Sequence, residues 1–193
     1  MIEIKNMRLG VGENAEALTG KAAKILKISP ARITEMRLVK RSLDARKKGD
    51  IHYVCTAAFS VGGDEKKLIA AAGSKDVSEY VEKRYNINEY RGGKRPVIVG
   101  FGPAGMFAGL VLAYAGAKPI IIERGRDVDT RKAAVEKFRS GGELDGENNV
   151  QFGEGGAGTF SDGKLNTGTH DPRLTWVLRQ LYLHGAKESV LYD

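Results

Sequence analysis

The feature that most constrains the fold of this chain is a glycine-rich turn at residues 100–105, which has the spacing G-x-G-x-x-G. Residues 96–99 before it form a short apolar run, which is typical of a buried parallel strand. After the turn, apolar side chains recur at helical spacing, and Gly109 adds a small residue for close packing of a helix on a sheet. The apolar positions are Phe107, Leu110, Val111 and Tyr114. The sequence therefore predicts a strand, a tight turn and a helix.

Each glycine of this turn has a distinct physical role. Gly100 permits the tight turn, Gly102 lets the backbone approach a diphosphate, and Gly105 lets the helix pack closely on the strand. The N–H groups at the helix start would bind the anion. A second apolar run at 119–122 ends in Glu123, 23 positions after Gly100, close to the roughly 20 expected for an acid that binds adenosine ribose. We predict a βαβ dinucleotide site for FAD or NAD, because this carboxylate repels the 2′-phosphate of NADP. The alternative is an ordinary glycine-rich turn with a solvent-facing glutamate.

The positive charge of the chain lies in its N-terminal part. The 193 residues have a net charge of +7, of which residues 1–95 contribute +8 and residues 96–193 contribute −1. Glycine is distributed the opposite way, with 16 of its 25 residues after position 95. We therefore predict an α/β protein with a small basic α+β module at 1–90, a linker at 91–95 and an incomplete Rossmann-like domain at 96–193.

The periodicity of the basic module predicts a βαββ order followed by a second helix. The expected elements are a strand at 2–9, a helix at 14–27, a hairpin of strands at 33–42 and 51–59, and a helix from Asp76. The apolar face of the first helix comprises Ala15, Leu18, Ala22, Ile25 and Leu26. Glu79 is spaced to form a capping box at the start of the second helix.

Two features of this module have a structural and a functional interpretation. Cys55 falls on the inward face of a predicted strand, so we expect it in the core, and a single cysteine excludes internal disulfides and cysteine-cluster metal sites. A basic cluster would either bind a polyanion such as nucleic acid or form a solvated strand edge. The lack of interleaved aromatic residues favours the solvated edge. The cluster comprises Arg37, Lys40, Arg41, Arg46, Lys47 and Lys48.

A long segment at 148–166 is dense in glycine and in hydroxyl, amide and carboxylate groups, and such loops are usually functional. With this segment, the chain resembles the FAD-dependent dehydrogenases of the two-dinucleotide-binding-domain class, specifically a bacterial group with a basic N-terminal module. The matching stretches are residues 40–46, 97–105, 123–125 and 153–165. The resemblance implies FAD as cofactor and hydride transfer through the flavin ring, with NAD(P)H or an organic substrate as the donor.

The resemblance also implies roles for individual residues. Glu123 and Arg124 would hold the adenosine end of FAD. The residues implied at the diphosphate are Gly100, Gly102, Pro103, Ala104 and Gly105. Those implied near the diphosphate, the ribityl chain or the flavin are Gly155, Gly156, Ala157, Gly158, Thr159, Ser161 and Lys164. A cation at Lys164 would stabilise the reduced flavin; the alternative is a loop lysine in water.

Two other functions are consistent with the same motifs. One is an NAD-dependent dehydrogenase, which leaves the glycine-rich loop without a role. The other is a nucleotide-sensing module whose basic N-terminal part binds nucleic acid or an acidic protein. No residue is typical of an acid–base catalyst, and His170 is expected to be solvated.

Three expectations concern the chain as a whole. The first residues contain an early acid and no apolar leader segment, and no run approaches the ~18 apolar residues that span a membrane, so we expect a cytoplasmic protein without a leader. A helix opened by Asp171 and Pro172 is followed by an apolar strand at 189–193, where the chain stops. We therefore expect a truncated protein that binds FAD weakly, if at all.

Overall fold

The protein is a mixed α/β structure made of two compact units. The computed structural model describes residues 1–161 and 171–193. In chain order its helices and strands are β1 (Ile2–Gly10), α1 (Ala17–Leu26), β2 (Ile33–Asp44), β3 (His52–Val61), α2 (Glu65–Ala72), β4 (Val77–Glu79), β5 (Val97–Val99), α3 (Pro103–Tyr114), β6 (Ile120–Ile122), α4 (Val128–Arg139) and α5 (Arg173–Leu183). None of the described helices combines the length and apolarity needed to cross a membrane.

The two units divide the chain differently from the sequence prediction. The first unit combines Met1–Arg84 with Asp171–Asp193, and the second is Tyr85–His170. The sequence placed 96–193 in a single domain, whereas α5 and the residues after it belong to the first unit. The periodicity of apolar residues predicts that a segment such as α5 is helical, but it does not predict to which unit the helix belongs.

The first unit contains a four-stranded antiparallel sheet in the order β2-β3-β1-β4. With α1 and α2, its strands follow the βαββαβ order of ferredoxin-like folds. The predicted β2–β3 hairpin is confirmed, and so is the burial of Cys55. On α1, Leu18, Ala22 and Leu26 are buried as predicted, but Ile25 is 39% exposed and does not belong to the core.

The core of the first unit lies between the sheet and helices α1 and α2. Strand β1 carries a bulge between Ile4 and Met7, where Asn6 adopts a left-handed backbone with φ of 56°. The bulge shifts the alternation of β1, so that the inward positions before and after it stay on one face. The buried cluster comprises Ile2, Ile4, Met7, Leu9, Leu18, Ala22, Leu26, Cys55, Ala57, Phe59, Val61 and Val77.

The helix predicted from Asp76 is wrong, because Val77–Glu79 forms strand β4. This strand pairs antiparallel with β1, and its Val77 is buried in the core. The carbonyl oxygen of Asp76 accepts a hydrogen bond from the Lys5 amide at 2.8 Å. Pairing with a free edge of β1 therefore outweighs the local capping signal.

Helix α2 was not assigned from the sequence, although its ends have recognisable signals. Its N-cap Asp64 accepts a hydrogen bond from the Lys67 amide at 3.1 Å, and Gly73 ends it with φ of 58°.

The terminal strand predicted at 189–193 is also wrong, because Glu188–Leu191 is a short 3₁₀ helix. Its local backbone bonds, such as that from the Val190 amide to the Lys187 carbonyl at 3.0 Å, replace strand pairing.

In the second unit, the predicted strand, helix and strand are present. Strands β5 and β6 are parallel, with Ile98 opposite Ile121, and α3 connects them. Gly109 is buried on α3, where a Cβ atom would lie 2.8 Å from Ile121 Cδ1. The predicted close contact at this glycine is therefore confirmed. The burial expected for the first strand is wrong, because Val99 on β5 is 84% exposed, and on β6 Ile122 is 53% exposed.

Candidate functional site

The GxGxxG turn, residues 100–105, joins β5 to α3 through a sharp change of direction. Gly100 has φ of 97°, a conformation that favours glycine, and its amide donates to the Ile122 carbonyl at 2.7 Å. A Cβ atom at Gly105 would collide with the Gly100 carbonyl oxygen. Both positions therefore require glycine for the turn itself.

Helix α3 begins directly behind this turn. Its N-cap is Gly102, which has no side chain to bond the first-turn amides, and Pro103 occupies the first helical position. The N–H groups of the first turn, including that of Ala104, lack partners within the helix and carry its positive dipole end. This geometry suits an anion.

Glu123 follows β6 and binds three separate segments of the second unit. Its carboxylate accepts hydrogen bonds from the amides of Phe101 at 2.5 Å, Gly125 at 2.9 Å and Gly153 at 2.9 Å. The Gly125 amide lowers the pKa of Glu123 most, partial burial acts in the opposite direction, and the amides of Phe101 and Gly153 add to the lowering. Glu123 thus links the GxGxxG turn to the loop that begins at residue 153.

We call the described part of that loop, residues 153–161, the second glycine loop. Its Gly155 and Gly156 have φ of 84° and 62°. The Gly155 amide donates to the Phe101 carbonyl at 2.9 Å. A Cβ atom at Gly156 would lie 3.0 Å from Gly102 Cα. The second glycine loop therefore contacts the GxGxxG turn backbone to backbone.

The turn after β6 also packs closely against the second glycine loop. A Cβ atom at Gly125 would lie 2.5 Å from both Cα and N of Gly153. Arg124, in contrast, pairs with Glu147 at 2.5 and 2.6 Å and stacks over the Phe152 ring at 4.4 Å. Three backbone segments thus converge, while the Arg124 side chain is engaged by its own partners.

The structure brings together some of the predicted site residues and leaves others apart. Gly102 and Pro103 lie against Gly156, and Glu123 bonds the neighbouring amides. Ala157, Gly158 and Ser161 are exposed, and Thr159 is half-buried. Lys164 and His170 lie outside the described residues.

Sequence analysis missed Arg131, a fully buried residue of α4. Its guanidinium donates to backbone carbonyls of residues 149–156 and lies 4.9 Å from the centre of the Phe160 ring. The signal that would reveal it is its position between Val128 and Val135, where the helical repeat places a charged residue on the apolar stripe.

In the basic cluster of the first unit, several cations have acidic partners. Arg41 binds Asp193 through two contacts at 2.6 and 2.7 Å, and Arg46 binds Asp44 at 2.6 and 2.9 Å. Arg37 lies 3.5 Å from a Glu82 carboxylate oxygen. These pairs reduce the positive charge that this surface presents to a polyanion.

Comparison with known proteins found one matching family and one similar protein. Residues 1–60 match the family described as Domain of unknown function (DUF8436). A protein of Clostridium beijerinckii, with the name "Uncharacterized protein", is 45% identical over 200 residues. That match covers 100% of this chain and 36% of the relative, so the chain spans about a third of the relative's length.

Proposed function

We propose that the second unit is the FAD-binding portion of a flavin-dependent oxidoreductase, a dehydrogenase. The observation that carries this proposal is the convergence of the GxGxxG turn and the second glycine loop at Gly102 and Gly156. Two glycine-rich segments that meet backbone to backbone beside a helix N-terminus form a surface suited to a diphosphate. An NAD-dependent dehydrogenase remains the alternative for the same turn.

The residues around α3 fit the diphosphate of a dinucleotide. Gly102 is extended, with φ of −75°, and leaves the helix start free of a side chain. A phosphate oxygen would accept hydrogen bonds from the first-turn amides behind Pro103, where the helix dipole stabilises negative charge. The glycines thus serve two purposes: they form the turn, and they let the diphosphate approach the backbone.

At the adenosine end, Glu123 holds the ribose only if it exchanges a partner. A carboxylate has about four lone-pair sites, and those of Glu123 already bond four backbone amides, of Phe101, Arg124, Gly125 and Gly153. The Phe101 amide belongs to the GxGxxG turn, so a bound diphosphate would take it as a donor. One carboxylate oxygen of Glu123 would then be free to accept a ribose hydroxyl.

The chemistry of the proposed reaction comes from the cofactor. When bound, FAD accepts a hydride, here from NAD(P)H or an organic substrate, and passes the electrons on. The described residues bind and orient the dinucleotide. The role of Lys164 near the flavin remains part of this proposal.

The test is a titration of the purified chain with FAD, followed by flavin fluorescence, with NAD as competitor. The informative variant is Gly102→Val: a Cβ atom there would lie at an ordinary 3.8 Å from Gly156 Cα, and thermal denaturation checks that the unliganded variant is folded. We expect FAD affinity to fall at least about tenfold, since the side chain blocks the approach of the diphosphate.

The matched control is Gly146→Val, an exposed glycine of the same unit with open space around its Cβ position. It should leave FAD affinity unchanged. Equal affinity in Gly102→Val and the original chain would refute the site. NAD binding without FAD binding would refute the proposed cofactor.

A further inference from the structure

Arg131 is the most unusual buried residue of the second unit. It is 0% exposed, although a charged side chain is rarely buried without an ionic partner. Within the described residues, its hydrogen-bond partners are neutral oxygens. Burial of a cation costs free energy unless such bonds offset it, so the site needs an explanation beyond packing.

The guanidinium contacts the chain on both sides of the start of the second glycine loop. Toward the preceding residues, Nε and Nη2 donate to the Asn149 carbonyl at 3.2 and 3.0 Å, and Nη2 donates to the Val150 carbonyl at 3.1 Å. Toward the loop, Nη1 donates to the carbonyls of Glu154 and, at 3.1 Å, Gly156. A single planar group therefore fixes four peptide planes.

The orientation of these planes determines where the loop amides point. In a trans peptide the C=O and N–H groups point in opposite directions. The Glu154 carbonyl faces Arg131, so the Gly155 amide faces away from it and donates to the Phe101 carbonyl at 2.9 Å. In the same way, the Gly156 carbonyl turns the Ala157 amide away from the guanidinium.

The loop is also shaped to accept this side chain. Gly153 has φ of 117°, and a Cβ atom there would collide with Arg131 Cδ. The second glycine loop therefore passes directly over the arginine stem, with Gly156 against Gly102. A shorter or nonplanar donor cannot reach the carbonyls on both sides with one rigid group.

We propose that Arg131 is a positioning residue for the dinucleotide site. It holds the second glycine loop in the conformation that contacts the GxGxxG turn, and it thereby sets the affinity for the diphosphate. The effect on affinity rests on the proposed function, whereas the effect on the loop can be measured without a ligand.

The experiment compares Arg131→Ala and Arg131→Lys with the original chain. Amide hydrogen exchange is measured on the unliganded full chain, and FAD affinity is measured in parallel. In Arg131→Ala we expect exchange in residues 149–161 to rise at least about tenfold, with β5 and α3 unchanged, because the lost bonds are local. FAD affinity should fall by a similar factor, and Arg131→Lys should restore only part of each effect.

Chemical rescue separates positioning from general stability. Guanidinium chloride, well below denaturing concentrations, should restore slow exchange and FAD affinity to Arg131→Ala, whereas ammonium chloride at equal ionic strength should not. The control is Arg139→Ala, an exposed arginine at the end of the same helix, which should leave exchange and affinity unchanged.

The outcomes distinguish this inference from the proposed function. Unchanged loop exchange in Arg131→Ala, or equal acceleration throughout the second unit, would overturn the positioning role. Local acceleration with undiminished FAD affinity would overturn it as well. If the original chain binds NAD and not FAD, the proposed function fails, and the exchange data still decide whether Arg131 holds the loop.

Discussion

The strongest test of the site geometry is the removal of the Glu123 carboxylate. In Glu123→Ala, the amides of Phe101, Gly125 and Gly153 lose their common acceptor. At about 1 kcal/mol for each partly exposed bond, the free energy of unfolding should fall by about 3 kcal/mol. For a unit of this size the melting temperature should fall by more than about 10 °C.

The assay is thermal denaturation followed by circular dichroism. Hydrogen exchange at the amides of Phe101, Gly125 and Gly153 provides a local measurement. Glu136→Ala removes an exposed carboxylate from α4 and serves as the control. The predicted loss occurs without any ligand, because the bonds are internal. A loss below about 0.5 kcal/mol would show that Glu123 does not join the segments, and that its role lies elsewhere.

The same residue predicts a pH dependence. Backbone amides lower the pKa of Glu123 in the folded state from its ordinary value of 4.5. A lowered folded pKa means that the stabilisation is fully present above the unfolded pKa and is lost as the pH falls through the folded pKa. The stability difference between the original chain and Glu123→Ala should therefore be constant near neutral pH and shrink below about pH 4.5. A difference that grows on acidification would contradict this assignment.

Two further substitutions test the remaining framework by thermal denaturation. Gly105→Ala places a Cβ atom against the Gly100 carbonyl oxygen and should lower the free energy of unfolding by more than about 2 kcal/mol. The control Gly146→Ala should leave it unchanged, and equal stability of the two variants would refute the tight turn. Val77→Asp buries a carboxylate in the core of the first unit and should lower the free energy of unfolding by more than about 3 kcal/mol. The control Val81→Asp, at a position 73% exposed, should lower it little. An unchanged stability of Val77→Asp would refute the pairing of β4 with β1.

Features governed by local sterics could be predicted from the sequence. The turn at Gly100 and the contact at Gly109 follow from what a Cβ atom would meet, and the apolar runs on either side identify β5 and β6. The helix start at Pro103 follows from the same local rules.

Features that depend on distant partners could not be predicted. Val77 is in a strand because β1 offers it an edge, and Arg131 is buried because carbonyls of a later loop face it. Two amide partners of Glu123, those of Phe101 and Gly153, likewise come from segments separated along the chain. The sequence identified Glu123 as a candidate site residue, but its hydrogen bonds could be predicted only if the contacts between these segments were known.

The exposed strands of the second unit affect how this chain behaves in solution. Parallel sheets are normally covered on both faces, yet Val97 and Val99 on β5 are 57% and 84% exposed, and Ile122 on β6 is 53% exposed. Attraction between such surfaces strengthens on warming, because hydrophobic association is weaker in the cold. Concentrated solutions should therefore become turbid on gentle heating and clear again on cooling, at temperatures where every helix is still folded.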